Sequence, residues 1–496
     1  MDHSRTAGIL LHPTSLPGRG GIGTLGADAH RFLGWLHEAG LRIWQMLPLG
    51  PTGFGDSPYQ SFSAFAGNPL LIHIPDIDGR FPDDHVDFGT VVPARQAALA
   101  EWLDAQPYDA TVAAFVERHR EWLPDYALFM ALKDAHHGAP WYEWDAGTAR
   151  RDPEALARWR AVLQPDITRI YKQQCVFFRQ FDELRRAAHT LGIRLMGDLP
   201  IYVAHDSADV WANRELFQLH PDGTPRVQAG VPPDYFSETG QLWGNPLYDW
   251  TRMAADGFQW WTSRVHAALQ WFDLIRLDHF RGFAAYWEVP GDAHTAVSGR
   301  WVDGPGAALF HAMTRALGPL PIIAENLGVI TPDVETLREA FQYPGMAILQ
   351  FAFTDPASSF LPHRHARHLV VYTGTHDNDT TLGWWHEGGA EDSPRSREVV
   401  ARERVFAQQY LNTTGEAMHW VLIRAALSSV ADTALIPMQD VLGLGSEARM
   451  NLPGRPEGNW RFRFTWDQVT PAVTRWLHEW ISLYGRAAGS GSSGAS

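Results

Sequence analysis

An eight-stranded parallel barrel ringed by helices, the α/β class of (β/α)8 folds, is what this 496-residue sequence predicts. Three observations predict it. Eight short apolar or β-branched runs recur along the chain, each bounded by turn residues or ended by polar groups. Helical patterns separate most of them, and strands alternating with helices form parallel sheets. Charged residues collect at the C-terminal ends of several runs, the end at which barrel enzymes carry their chemistry.

The first run, GILLH (8–12), precedes an amphipathic helical pattern over 28–39. The second, IWQMLPL (43–49), is followed by about 140 residues before the third, IRLMGDLP (193–200). That stretch holds Pro/Gly-rich segments, Trp-containing helical patterns and a long amphipathic pattern over 166–190. It is too long for a connection, so about 50–192 reads as an inserted, largely helical subdomain. A helical pattern over 250–270 leads into the fourth run, FDLIRLDHF (272–280), and smaller insertions follow the third and fourth runs at about 201–250 and 283–305. A helix over 306–317 then leads to PIIAEN (321–326). The next, over 331–341, opens T-P-D-V-E: an N-cap residue, proline at the first helical position and acids in the first turn. AILQFAF (347–353), LVVYTGTHD (369–377) and ALIPMQD (434–440) complete the set. Residues 1–488 therefore read as one catalytic barrel with its insertions on the C-terminal face. The Gly/Ser tail 489–496 is left outside the fold.

Composition excludes several classes. Residues are 45% apolar and 20% charged, as in an ordinary globular protein. A net charge of −15 argues against binding nucleic acid through phosphate neutralisation and favours neutral or cationic partners. Cys175 is alone, which rules out an intrachain disulfide and a cysteine metal cluster; within YKQQCVFFRQF it reads as a buried small hydrophobe. No spanning apolar run and no secretory signal pattern is present, so a cytoplasmic protein without membrane contact is expected. HRHARH (363–368) lacks acids at ligand spacing and reads as a solvated loop, not a metal site. NTT (412–414) and NDT (378–380) match glycosylation acceptors that a cytoplasmic chain does not use. No Gly-rich phosphate loop is present, and no cofactor is implied. The 22 tryptophans suit stacking against sugar rings as well as filling cores.

The run ends carry the chemistry. Asp198 ends the third, Arg276 and Asp278 the fourth, Glu325 the fifth, His376 and Asp377 the seventh, and Asp440 the eighth. In a barrel these five carboxylates converge on one rim. Paired carboxylates in a partly dry, aromatic-lined site are the machinery of glycosidic bond chemistry. Arg276 precedes Asp278 by two residues, so in a strand both point to the same face. A cation there suits an ionised nucleophile. Glu325 sits in an apolar run with no cation beside it, and partial burial would raise its pKa as a general acid requires. Asp377 with His376 would hold substrate hydroxyls and favour ring distortion. A retaining pair of this kind is expected about 5–5.5 Å apart.

Longer motifs carry a resemblance. LHPTSLPG (11–18), GPTGFGDSPYQSFSAFAGNP (50–69), MGDLPIYVAHDSADVW (196–211) and GVPPDYFSETGQLWGNPLYDW (230–250) are followed by RLDHFRGF (276–283), AENLGVITPDV (324–334), TGTHDNDTTLGW (373–384) and QDVLGLGSEARMNLPGRPEGNW (439–460). On these segments the chain resembles the amylomaltase-type 4-α-glucanotransferases, glycoside hydrolase family 77 of the α-amylase superfamily. The resemblance implies that Asp278 is the nucleophile, Glu325 the acid/base and Asp377 the transition-state stabiliser. It implies that Arg276 and His376 contact the sugar beside the scissile bond, that Asp198 and Tyr59 line the same subsite, and that Ser57 binds substrate. A loop at 232–244 resembles one closing over the acceptor side, which would place Tyr235, Phe236 and Trp243 along the glucan path. The 443–454 loop resembles a second rim element. Phe54 stands where some relatives carry the tyrosine of a second glucan-binding patch, and lacks its hydroxyl.

The implied activity is transfer of an α-1,4-glucan segment to another glucan or to glucose, with intramolecular closure to large cyclic glucans as a variant. The implied partners are maltooligosaccharides and amylose, and the implied assembly is a monomer or weak homo-oligomer. Two rivals remain: a retaining α-1,4-glucan hydrolase using the same residues with water as acceptor, and a non-catalytic glucan-binding protein. The 230–250 and 443–454 loops favour transfer over hydrolysis, and the intact carboxylates favour catalysis over binding.

Overall fold

In a computed structural model, residues 5–75, 77, 80–233, 238–387, 396–455 and 457–487 are described. All eight expected strands form: β1 (Thr6–Leu10), β2 (Ile43–Gln45), β3 (Arg194–Leu199), β4 (Leu274–Leu277), β5 (Ile322–Ala324), β6 (Gly345–Ile348), β7 (Leu369–Tyr372) and β8 (Thr433–Pro437). They pair in parallel in the order β6-β7-β8-β1-β2-β3-β4-β5. The ring closes where the Ala324 N–H donates to the Pro344 carbonyl at 2.9 Å and the Met346 N–H donates to Asn326 Oδ1 at 2.8 Å.

The barrel interior follows the two-residue period of its strands. Ile43, Met196, Leu274, Ile323, Met346, Ile348, Val370, Tyr372 and Leu435 pack there as one cluster. Gly8 faces them where no side chain fits, since a Cβ would lie 2.4 Å from the Ile43 carbonyl oxygen. Two residues farther along three strands the inward positions turn polar: Asp198 follows Met196, Arg276 follows Leu274, and Glu325 follows Ile323. The apolar layer is thus the floor on which polar side chains stand.

Between β2 and β3 lie helices Phe88–Asp104, Ala110–Arg118, Leu123–Ala135 and Pro153–Val162, and then the long Gln164–Thr190, which leads into β3. The segments after β3 and β4 pair with one another. Val227–Val231, Gln241–Pro246, Ala285–Pro290 and Arg300–Asp303 form a four-stranded antiparallel sheet, which the sequence patterns do not announce. Two elements differ from their patterns. The helix expected over 250–270 is two helices, Trp250–Ala255 and Gln259–Trp271, because Gly257 and Phe258 take left-handed backbone at φ 75° and 61°. The sixth run leaves the strand at Ile348, and Leu349–Thr354 forms 3-10 turns packed on the helix Arg397–Leu411; a short apolar run does not distinguish the two conformations. HRHARH is not wholly solvated: His365 is buried, with its ring nitrogens bonded to Ser429 Oγ at 2.7 Å and the Phe360 carbonyl at 2.8 Å. Among the described residues no helix is long and apolar enough to cross a membrane.

Candidate active site

The register of β3, β4 and β5 assembles the centre. Asp198 pairs with Arg276 and Leu277 pairs with Ala324, so Asp278 and Glu325 lie side by side one residue beyond adjoining strands. Arg276 Nη1 donates to Asp198 Oδ1 and Oδ2 at 2.9 and 2.7 Å and lies 2.9 Å from Asp278 Oδ1. Burial alone would weaken the Arg276 charge, but Asp198 and Asp278 hold the guanidinium firmly protonated.

Glu325 is held differently. Its carboxylate accepts the His279 N–H at Oε2 (2.8 Å) and the Leu327 N–H at Oε1 (2.7 Å). Burial pushes its pKa up to about 7 and the Asp278 charge adds to the rise, while Arg276 and the two amides oppose it. The sequence shows no cation beside Glu325, yet folding brings Arg276 within range of it. Burial still wins. His279 reaches its position with left-handed backbone, φ 48°, uncommon outside glycine and well suited to aiming its N–H at Glu325.

The β7 loop supplies the opposite wall. Asp377 Oδ1 accepts from Asn451 Nδ2 at 2.6 Å and lies 3.3 Å from His376 Nε2. Arg449 Nη2 donates to the Asp377 carbonyl at 2.6 Å, and the Asn451 N–H donates to the His376 carbonyl at 3.1 Å. Tyr59 stacks on His376 with ring centroids 5.2 Å apart and donates its hydroxyl to Asp198 Oδ2 at 2.8 Å. Burial, and then Asp198, raise the Tyr59 pKa far above its usual value, so it stays a donor. Trp460 closes the group, 5.9 Å from the Tyr59 ring and 6.0 Å from His376.

Asp278, Asp377, His376, Tyr59, Ser57 and Trp243 all line one open cleft. Ser57 Oγ accepts the Tyr59 N–H at 3.2 Å. Trp243 meets His279 edge to face at 4.8 Å. Phe54 stands at the cleft edge with 76% of its surface exposed. Tyr235 and Phe236 lie outside the described residues, as does the 489–496 tail. One expectation fails. Asp440 does not reach the rim: it is buried and accepts from Thr373 Oγ1 (2.5 Å), the Thr381 N–H (2.6 Å) and Thr381 Oγ1 (2.8 Å). It ties the β7 and β8 loops together because a wholly buried carboxylate needs such donors.

Sequence reasoning missed Arg449, Asn451, Trp460 and His12, although all lie inside the long motifs. His12 lies two residues beyond β1 near His376, where burial, with His376 adding, lowers its pKa to about 3 and keeps it neutral. Their signal was position within a motif; nothing in their residue type marked them. Among the described residues no group of three or more His, Cys, Asp or Glu could hold a metal.

Comparison with known proteins agrees with this geometry. The model of glycoside hydrolase family 77, described as 4-alpha-glucanotransferase, matches residues 11–469. A 4-alpha-glucanotransferase of Thermus thermophilus is 50% identical over 95% of this chain and 97% of its own. One from Synechocystis is 47% identical over 98% and 99%. Among solved structures, an amylomaltase from Streptococcus agalactiae in complex with acarbose superposes with a TM-score of 0.92 at 37% identity, covering 98% of this chain and all of that one. With barrel, carboxylate-bearing strand ends and whole-chain similarity in agreement, the chain belongs to the 4-alpha-glucanotransferases of glycoside hydrolase family 77.

Proposed function

We propose that this chain disproportionates α-1,4-glucans by retaining double displacement through Asp278 and Glu325. The observation that carries the proposal is their placement: two carboxylates on adjoining strands, one against a guanidinium and the other pushed up to about 7 by burial. Asp278 attacks C1 while Glu325 protonates the leaving oxygen, which yields a covalent glycosyl-enzyme. Glu325 then takes the proton of an incoming 4-hydroxyl, and the α-1,4 bond re-forms with retention. A glucan or glucose serves as acceptor, and the donor's own 4-hydroxyl closes a ring. Asp377, His376 and Tyr59 hold the sugar at the reacting carbon, and Asp198, buried beneath them, orients Tyr59 and Arg276. The aromatic walls Tyr59, Trp243 and Trp460 favour a sugar over water at the intermediate. No cofactor enters this chemistry. A cytoplasmic protein, monomeric or a weak homo-oligomer, fits an acidic chain with one cysteine.

Incubation with maltotriose alone tests the reading. Glucose together with a ladder of oligomers longer than the substrate is expected, and Asp278→Asn abolishes the ladder. Glucose and maltose with nothing longer would replace transfer with hydrolysis.

A further inference from the structure

The six residues that begin with Asp278, DHFRGF, touch two tryptophans from elsewhere in the chain, and only one of them lines the cleft. His279 packs under Trp243, which lines the cleft. Two residues on, Arg281 lays its guanidinium over Trp301, 4.0 Å from the ring centroid, and also donates to the Val329 carbonyl. The two tryptophans sit on opposite edge strands of the four-stranded sheet, Gln241–Pro246 and Arg300–Asp303. Three interstrand spacings separate those strands, about 14 Å in all.

Trp301 is built as a platform. Arg281, itself buried, covers one face of its ring and fixes the plane, while 44% of the residue stays exposed. It pairs in register with Trp287, whose ring meets it at 5.3 Å, and the Trp287 indole N–H is anchored on the Ala296 carbonyl at 2.8 Å. Val297, beside that anchor, and Val329, whose carbonyl Arg281 holds, are exposed as well. Arg300, the neighbour of Trp301, spends its charge on Glu288 at 2.7 Å. What remains is an uncharged aromatic face on a rigid edge, suited to the apolar face of a sugar ring.

We propose that Trp301 is a distal glucan-binding site that takes long chains whose near end occupies the cleft beside Trp243. The proposal rests on the glucan reading above and adds to it a length requirement. On this proposal only a chain long enough to cross the sheet from Trp243 meets the outer strand. Long chains therefore gain a stacking contact that short ones never make.

Equilibrium binding to the inactive Asp278→Asn protein, with and without Trp301→Ala, tests this apart from turnover. The probes are maltotriose and a maltodextrin of ten or more glucose residues. Trp301→Ala is expected to weaken the maltodextrin about fivefold, the worth of one aromatic contact, and to leave maltotriose within error. Trp301→Phe, which keeps a stacking face, should recover most of that loss. Equal maltodextrin affinity with and without Trp301, or a loss shared equally by maltotriose, overturns the proposal. Absence of a maltotriose ladder with the unmodified protein would instead overturn the transferase reading.

Discussion

Replacing Arg276 with methionine should destabilise the fold by about 3–5 kcal/mol, because it leaves a buried carboxylate without its cation. The Asp198 side chain has no exposed surface and accepts three bonds, two from Arg276 Nη1 and one from the Tyr59 hydroxyl. Methionine keeps the apolar stem and removes the charge, so Tyr59 alone remains as donor. The sign with pH follows from the same group. Burial already raises the Asp198 carboxyl in the folded state, against the pull of Arg276. Without Arg276 it rises further, so the folded protein holds its proton to higher pH than the unfolded chain does. The extra loss is then smallest in acid and grows as pH rises through that window. Urea unfolding at mildly acidic and mildly basic pH measures both effects. Adding Asp198→Asn should recover about 2–3 kcal/mol by removing the stranded charge. A loss below about 1 kcal/mol for Arg276→Met, or simple additivity of the two substitutions, would refute the view that this pair stands as a unit beneath the site.

Other substitutions probe the remaining walls. The Glu325 carboxyl must be protonated for the first step, so kcat/KM should fall above about pH 7, tenfold per unit at its steepest. Asp278→Asn removes a charge that holds that proton on, and Glu325 should then titrate lower by carboxyl-resolved NMR; an unchanged or higher value would break the coupling. Asn451→Leu should cut kcat/KM about tenfold to hundredfold through loss of the 2.6 Å bond to Asp377, with a urea midpoint close to that of the unmodified protein. Asp440→Ala should cost about 3 kcal/mol in unfolding experiments, since it strands the Thr381 N–H and two hydroxyls in the interior.

Much of this molecule is legible in its sequence for one physical reason: a strand repeats every two residues. That period makes Leu274, Arg276 and Asp278 neighbours on one face, and likewise Met196 with Asp198 and Ile323 with Glu325. Eight such runs separated by helices are enough to identify the barrel, its rim and four of the five rim carboxylates, and motif length is enough to identify the family. Long-range arrangement is what local pattern does not encode. Asp440 follows its strand as the others do, yet the loops after β7 and β8 fold over it and claim its oxygens. The pairing of 227–246 with 285–303 joins strands that neither segment needs for itself. Arg276 lies 49 residues from Glu325 in the sequence and acts on it only because β4 and β5 are adjacent. The period along each strand was therefore written in the chain, whereas the protonation of Glu325, the bracing of Asp377 by Asn451 and the platform at Trp301 were decided by which distant segments came to lie side by side, since desolvation and charge depend on neighbours in space.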